Sequence, residues 1–408
     1  MGACHHGTAV MPADDRWRGL YPDAAAPDPG PAGMTAGVPT ALADRLMRRI
    51  QEDGPIGVDT FMAACLADPQ GGYYQQADPF GTAGDFITAP EISGLFGEMC
   101  GLYLAHIYDL AGSPEDAAII ELGPGRGTLM RDMRHVWSQL MPAMTSLPLH
   151  FLETGHALRR LQASTVQTDR IRTAASWHDD ITDLLAATDG PVFGIANEFF
   201  DALPVAQLIR HGGQWHQRQV GILDGRLGFT IGPSVPEDVA LNGMEKGCGP
   251  SADGAVLEHC PQADLVIAAL ARQVAQHGGA MLIIDYGRDG NPGDSLQAVA
   301  DHKPIDIFHA PGQSDLSHWV DFAALEKAAS AAGARLVPPV PQGQFLMRIG
   351  LAARSEQAGK MAAPETRRAL LAAIDRLTSP EQMGAVFKVA LLVPRGDGTP
   401  PGFEQDSP

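Results

Sequence analysis

The chain is short of cations. Its 408 residues carry 29 Lys and Arg against 48 Asp and Glu, a formal charge of −19. Sequence-independent binding of nucleic acid rests on basic surface meeting phosphate, so the charge argues against nucleic acid as a partner. Cysteine is scarce as well. Cys4, Cys65, Cys100, Cys248 and Cys260 are odd in number and form no Cys-x-x-Cys pair. That argues against a disulfide framework and fits reduced, structural thiols. No apolar run approaches the ~20 residues of a membrane helix, so membrane insertion is not expected. A charged-then-apolar leader is lacking too, and aspartates near the start speak against a mitochondrial presequence. The expectation is a soluble, cytoplasmic protein. Apolar residues, by contrast, make up 45% of the chain, enough for a substantial core.

Residues 1–39 are rich in Ala, Pro, Gly and Asp, as in YPDAAAPDPGPAG, and are expected to form a disordered arm. The tail 396–408 reads the same way, as a flexible segment. Between them, 40–112 is read as a helical and lid region. ALADRLMRRIQEDG (41–54) has apolar residues at helical spacing, and VDTFMAACLAD (58–68) continues as a second helix with Asp59 as its N-cap. GGYYQQADPFGTAGDFITAPE is too broken for a regular element, and 92–112 is long, apolar and helical. From 113 to 395 the rhythm changes. Strands are expected at AAIIEL (117–122), LHFLE (149–153), RIRTAAS (170–176), PVFGIAN (191–197), GAMLIIDY (279–286) and FKVALLV (387–393), most of them alternating with helices. Such alternation predicts an α/β fold, a mainly parallel Rossmann-like sheet covered on both faces. An insertion at about 205–260 contains QLIRHGGQWHQRQVGILDGRLGFTIG, whose alternation and Gly turns predict an antiparallel β ribbon.

Directly after the first core strand comes ELGPGRGTLMRD, with Glu121, Gly123, Gly125 and Gly127. A Gly-rich turn lets backbone approach a ligand and aims the helix N-terminus at an anionic group. The dinucleotide pattern G-x-G-x-x-G fails, because its last position falls on Thr128 in one frame and Met130 in the other. No Gly-Lys-Ser/Thr follows, so a P-loop is excluded. The acid followed by G-x-G-x-G resembles motif I of class I S-adenosylmethionine-dependent methyltransferases. In that reading the helix terminus faces the methionine carboxylate and Glu153, ending the second strand, binds the ribose hydroxyls. Trp177, in the Ser176–Asp179 stretch at the end of the third strand, stacks on the adenine. A tight structural turn, an ordinary surface Glu and a packed Trp are the plainer alternatives.

GGYYQQADPFGTAGDFITAPEISGLFGE, ELGPGRGTLM, IANEFFDALP, GGAMLIIDYG, SLQAVADHKP and PGQSDLSHWVDF follow one another in an order that resembles the MidA-like family of class I methyltransferases. The likeness runs from about residue 40 to 395. It implies S-adenosyl-L-methionine as cofactor and a protein substrate, an arginine on a subunit of respiratory complex I. It also implies that the loop containing Asp85 and Phe86 closes over the cofactor, with Tyr73 and Tyr74 as lid or target contacts. The family has many bacterial members, and this chain is read as one. Two departures stand out. Relatives read E-T-S-P where this chain has Glu153, Thr154, Gly155 and His156; the ribose acid is kept. They read D-L-T-A-H-V-D-F where this chain has DLSHWVDF, which moves His318 and inserts Trp319.

Methyl transfer from a sulfonium is an in-line displacement, governed by positioning and charge placement. Ligands of open α/β sheets sit beyond the carboxyl ends of the strands. There IANEFFDALP (195–204) places Asn197, Glu198 and Asp201. Two carboxylates can grip the planar fork of an arginine by paired hydrogen bonds, and Glu198 and Asp201 are assigned that role with Asn197 beside them. A capping role for Asp201 is the alternative. Asp285 and Tyr286 are expected as pocket walls. His302, His309, Asp315 and His318 match no metal-ligand spacing, so no metal is expected. An NAD-linked oxidoreductase, a small-molecule methyltransferase and a cofactor-binding assembly chaperone are the competing functions.

Overall fold

Ala118–Leu122 is buried at every position and forms strand β1. A run buried on both faces is the mark of a strand inside a parallel sheet. The computed structural model describes residues 38, 40–75, 88–166, 174–240, 252–291, 293–300, 303–360, 362–396 and 398–404. Seven further strands complete the sheet: β2 (Leu149–Leu152), β3 (Ala175–His178), β4 (Val192–Asn197), β5 (Gly279–Arg288), β6 (Val320–Asp321), β7 (Ala334–Pro341) and β8 (Phe387–Pro394). Their order is β7-β8-β5-β4-β1-β2-β3, with β6 paired to the end of β5. β1 to β5 run parallel, and β8 lies antiparallel between β5 and β7. The fold is a class I methyltransferase fold, α/β with a mainly parallel Rossmann-like sheet.

Register determines where the strands stop. Leu122 pairs with Leu152 on one side and Ala196 on the other, and Asn197 pairs with Ile284. The carboxyl ends of β1, β2 and β4 therefore finish within a residue of one another, while β5 runs on to Arg288. Strand order also reverses between β1 and β4, the switch point at which such sheets leave a crevice. The core beneath is apolar: Ala280 to Ile284 are fully buried, and each larger side chain there contributes about 1.5–3 kcal/mol against the cost of ordering the chain.

Helix α1 (Gly94–Leu110) packs on α2 (Thr128–Leu140), which follows β1. The two approach closely because α1 carries glycine at the contact. A Cβ at Gly101 would lie 2.8 Å from Met133 Cα. The Trp137 indole donates to the Gly101 carbonyl at 2.8 Å, so the buried ring is satisfied. Helix α3 (His156–Val166) follows β2 and buries Leu158, Gln162 and Val166 along one stripe.

The chain divides into two units. One comprises Tyr74–Leu203, Gln262–Gly290 and the chain from Trp319 onward, and holds the sheet just described. The other combines the described residues up to Tyr73 with Pro204–Pro261 and Asn291–His318. Its antiparallel sheet has the order Ile56–Gly57, Gln214–Leu223, Ala206–His211, Val256–His259, with Arg226–Val235 on Gln214–Leu223. This is the ribbon expected from the insertion, extended by residues 56–57 and by a separate sheet of Gln297–Ala300, Lys303–Ile305 and Asp315–Ser317. Glu258, buried in this unit, accepts from Gln207 Nε2 at 2.7 Å and from the amides of Ser295 and Leu296.

Several expectations are corrected. The stretch 40–112 is shared between the units, dividing after Tyr73. The second helix starts at Val58 with Gly57 in the N-cap position; Asp59 lies inside the first turn and accepts the Thr60 amide. The helix expected over 92–112 forms as α1, Gly94–Leu110, starting two residues later. Ser93, in extended backbone, separates Ala89–Ile92 from α1 and caps the Leu95 amide. The third strand is Ala175–His178, and 167–173 lie outside the described residues. Described residues of the expected flexible tail have fixed contacts: Arg335 donates to the carbonyls of Gly396 and Gly398, and Phe403 is buried against Phe345 and Tyr103. The arm before Val38 lies outside the described residues.

Candidate active site

The turn after β1 can form because three glycines take left-handed backbone: φ is +61° at Gly123, +50° at Gly125 and +80° at Gly127. Gly127 occupies the N-cap position of α2 and supplies no side-chain cap. The first amides of α2 thus keep their capacity for an anionic group. Space matters as much as conformation at Gly123, where a Cβ would meet the Phe199 ring at 3.0 Å. That contact joins the turn to the acidic segment after β4.

Glu121, at the end of β1, is buried, and its Oε2 has no hydrogen-bond partner. Burial pushes its carboxyl up to about 8. Glu153 follows β2. Its Oε1 accepts the Gly155 amide at 2.7 Å and its Oε2 accepts Gln162 Nε2 at 2.9 Å. Each oxygen retains a second lone pair for a ligand hydroxyl. Burial raises this carboxyl too, opposed by those two bonds and by the Arg159 charge. Trp177, on β3, is half-buried and tilted against Phe151, and its indole donates to Gln162 Oε1 at 2.8 Å. Asp85 and Phe86, the expected lid residues, lie outside the described residues. Tyr73 is buried and belongs to the other unit. His302 also lies outside the described residues, among which no three His, Cys, Asp or Glu form a metal cluster.

Beyond β4 the chain turns sharply. Glu198 has φ of +50°, left-handed backbone that costs a non-glycine residue about 1–2 kcal/mol. Asp285 on β5 holds the strained turn in place: its Oδ2 accepts the amides of Phe200 at 3.0 Å and Asp201 at 3.3 Å. Asp285 was expected as a wall; it is the clamp beneath the acids. Glu198 Oε1 accepts from the Ala89 amide and from Asn197 Nδ2, each at 3.2 Å. Asn197 Oδ1 and Asp201 Oδ1 are buried without a partner. Loss of solvent, reinforced by the Asp201 charge, lifts the Glu198 carboxyl to about 7. Burial raises Asp201 as well, with the Tyr286 hydroxyl pulling the other way. Asp285 is raised too, by burial and then by its two acidic neighbours. Trp319, the inserted residue, meets Tyr286 edge-on at 6.4 Å with the Arg288 guanidinium over its ring.

Three contributors escaped the sequence reading. The Ala89 amide reaches Glu198 from a segment more than a hundred residues away. Glu91 accepts the Thr128 hydroxyl at 2.6 Å, tying that segment to the first residue of α2. Gln162 links the turn, Glu153 and Trp177; its signal was a polar residue on the apolar stripe of a predicted helix.

A parallel sheet whose order reverses at a Gly-rich turn, with an acid closing the next strand, is the arrangement expected of a class I methyltransferase. Comparison with known proteins agrees. Residues 99–340, more than half of the chain, match the family described as "Putative S-adenosyl-L-methionine-dependent methyltransferase". The chain is 33% identical over 380 residues to the mitochondrial protein arginine methyltransferase NDUFAF7 of Homo sapiens, covering 87% of this chain and 84% of the human protein. Its Drosophila melanogaster homolog is 33% identical over 383 residues, with 87% and 85% covered. A solved structure from Burkholderia thailandensis, bound to S-adenosyl-homocysteine, has a TM-score of 0.76 at 24% identity and covers 90% of this chain and 97% of that one, a likeness of fold. This chain belongs to the MidA-like family of S-adenosyl-L-methionine-dependent methyltransferases, and S-adenosyl-L-methionine is its cofactor.

The residues present fit that group. Buried oxygens of Glu121, Asn197 and Asp201 lack donors, and the cofactor carries two cationic centres and ribose hydroxyls. When bound, it supplies an electrophilic methyl group on a sulfonium. The turn 123–127 would hold its methionine end, Glu153 its ribose and Trp177 its base.

Proposed function

We propose that this methyltransferase modifies an arginine side chain of a protein, with Glu198 and Asp201 as the residues that grip it. The observation that carries the reading is the acidic turn itself. Glu198, Asp201 and Asp285 crowd the ends of β4 and β5, held by backbone amides and Asn197, and Phe199 between them packs on the cofactor turn. Such a cluster is costly while empty and favourable beside a cation. A guanidinium stays charged at any working pH and presents paired donors to paired carboxylates. Asn197 and the Ala89 amide orient Glu198, and Asp285 holds the turn that carries Asp201. The nitrogen that gains a methyl must shed a proton, and Glu198, with its carboxyl near 7, is suited to take it.

The names of the relatives, protein arginine methyltransferases, support the substrate class. A subunit of respiratory complex I, the target implied by the family resemblance, is part of the proposal. The test is direct. Purified protein is incubated with labelled S-adenosyl-L-methionine and lysate of a strain lacking it, and the labelled peptide is sequenced by mass spectrometry. Label on arginine of a complex I subunit is expected; label on another residue type, or only on small molecules, overturns the arginine reading.

A further inference from the structure

Gln162 has no exposed surface. A side-chain amide offers two N–H donors and an acceptor oxygen, and burial makes each costly to leave unmade. Here all are used. Nε2 donates to the Gly125 carbonyl at 2.7 Å and to Glu153 Oε2 at 2.9 Å, while Oε1 accepts the Trp177 indole at 2.8 Å. The three partners follow or belong to three different strands, β1, β2 and β3. They are also the residues assigned to the methionine end, the ribose and the base. The backbone of α3 supports the same turn, since a Cβ at Gly127 would lie 3.4 Å from Gln162 Cα.

We propose that Gln162 is the positioning residue of the cofactor site, setting the spacing of the glycine turn, the ribose acid and the indole. It rests on the assignment of Gly125, Glu153 and Trp177 to the cofactor. Few side chains could replace it. An ionised Glu has no donor and would face Glu153 with a second negative charge. Leu and Met fill the space but break all three bonds, and Asn is one methylene short. Groups held within a fraction of an ångström bind a ligand without paying to order themselves, and that advantage disappears when their common anchor goes.

The experiment measures binding of S-adenosyl-homocysteine by calorimetry, well below the melting temperature of each protein. Gln162→Leu and Gln162→Met are the test variants. Gln273→Leu is the control: Gln273 makes a bond of the same kind, to the Gly190 carbonyl at 3.0 Å, at the opposite end of the sheet. Loss of the buried anchor is expected to raise Kd about tenfold or more in the folded Gln162 variants, with Kd unchanged in the control. A folded Gln162 variant that binds as the wild type does overturns the proposal. Should neither variant fold, wild-type protein labelled with 15N at glutamine still decides it. The Gln162 side-chain amide signals are expected to shift when S-adenosyl-homocysteine is added, and an absent shift overturns the proposal. Glu153→Ala separates the two levels. If it too leaves Kd unchanged, the cofactor assignment fails and takes the role of Gln162 with it; if it weakens binding and Gln162→Leu does not, only the role of Gln162 is lost.

Discussion

Glu198 is held in a conformation it would not choose, by groups that do not neutralise it. Its φ of +50° costs energy, and burial raises its carboxyl although the amide and the carboxamide at its Oε1 pull the other way. Strain that the surroundings hold in place is most often found where chemistry happens. Glu198→Gln should keep the turn and its hydrogen bonds while lowering methylation at least ~10²-fold, with S-adenosyl-homocysteine binding little changed; retained turnover would remove Glu198 from the mechanism. The pH dependence carries a sign. The carboxylate form grips the cation, so with a value of about 7 the kcat/KM should rise as pH passes through 7. The Gln variant should lack that limb. At Gly123 two costs combine, a φ of +61° and a Phe199 ring where a Cβ would go. Gly123→Ala is expected to lose about 1–2 kcal/mol of stability in urea titration and to bind S-adenosyl-homocysteine more weakly.

Elements were legible where periodicity was clean. The runs AIIEL and MLIID, buried at every position, became β1 and β5, and the helix TLMRDMRHVWSQL became α2. Elsewhere tertiary context decided. The helix expected from 92 starts at Gly94 because the Ser93 side chain caps the Leu95 amide from extended backbone. The helices Gln342–Arg348, Leu351–Lys360 and Pro364–Thr378 were not assigned, nor were β7 and the sheet around Gln297–Ala300, where short or Pro-containing runs such as ARLVPPVP carry weak local preference. The α1–α2 contact was hidden too, because glycines in a helix read as a weakness and not as an interface. Gly101→Leu would drive a side chain into Met133. Its expected cost is about 1–3 kcal/mol or more, read as a lower melting temperature by circular dichroism.

For the molecule as a whole, the buried acids make stability depend on pH in an unusual direction. Glu121 rises to about 8 and Glu198 and Glu258 to about 7. A carboxyl whose folded value exceeds its unfolded value stabilises while protonated, and that contribution is lost as pH rises through the folded value. His150 and His178 are shifted down and act oppositely, but only below their ordinary value of 6.5. Between pH ~6.5 and ~8.5 the carboxyls therefore dominate. The melting temperature of the unliganded protein should fall across that range, and Glu121→Gln should fall less. An equal slope in both proteins would show that Glu121 is not the titrating group.

By itself the sequence determined the alternation that makes the sheet parallel, the glycine turn that follows β1, and the acids placed at strand ends; each is a local property of residue type and spacing. Only the tertiary structure decided which groups meet those acids. Glu198 is met by the Ala89 amide and the Asn197 carboxamide, with the Arg376 charge acting on it as well, and Asp285 by the amides of Phe200 and Asp201. The tertiary structure likewise brought Gln162 to three loops at once. Contacts of this kind join residues far apart in the chain through register and packing, and neither quantity is encoded in any short stretch.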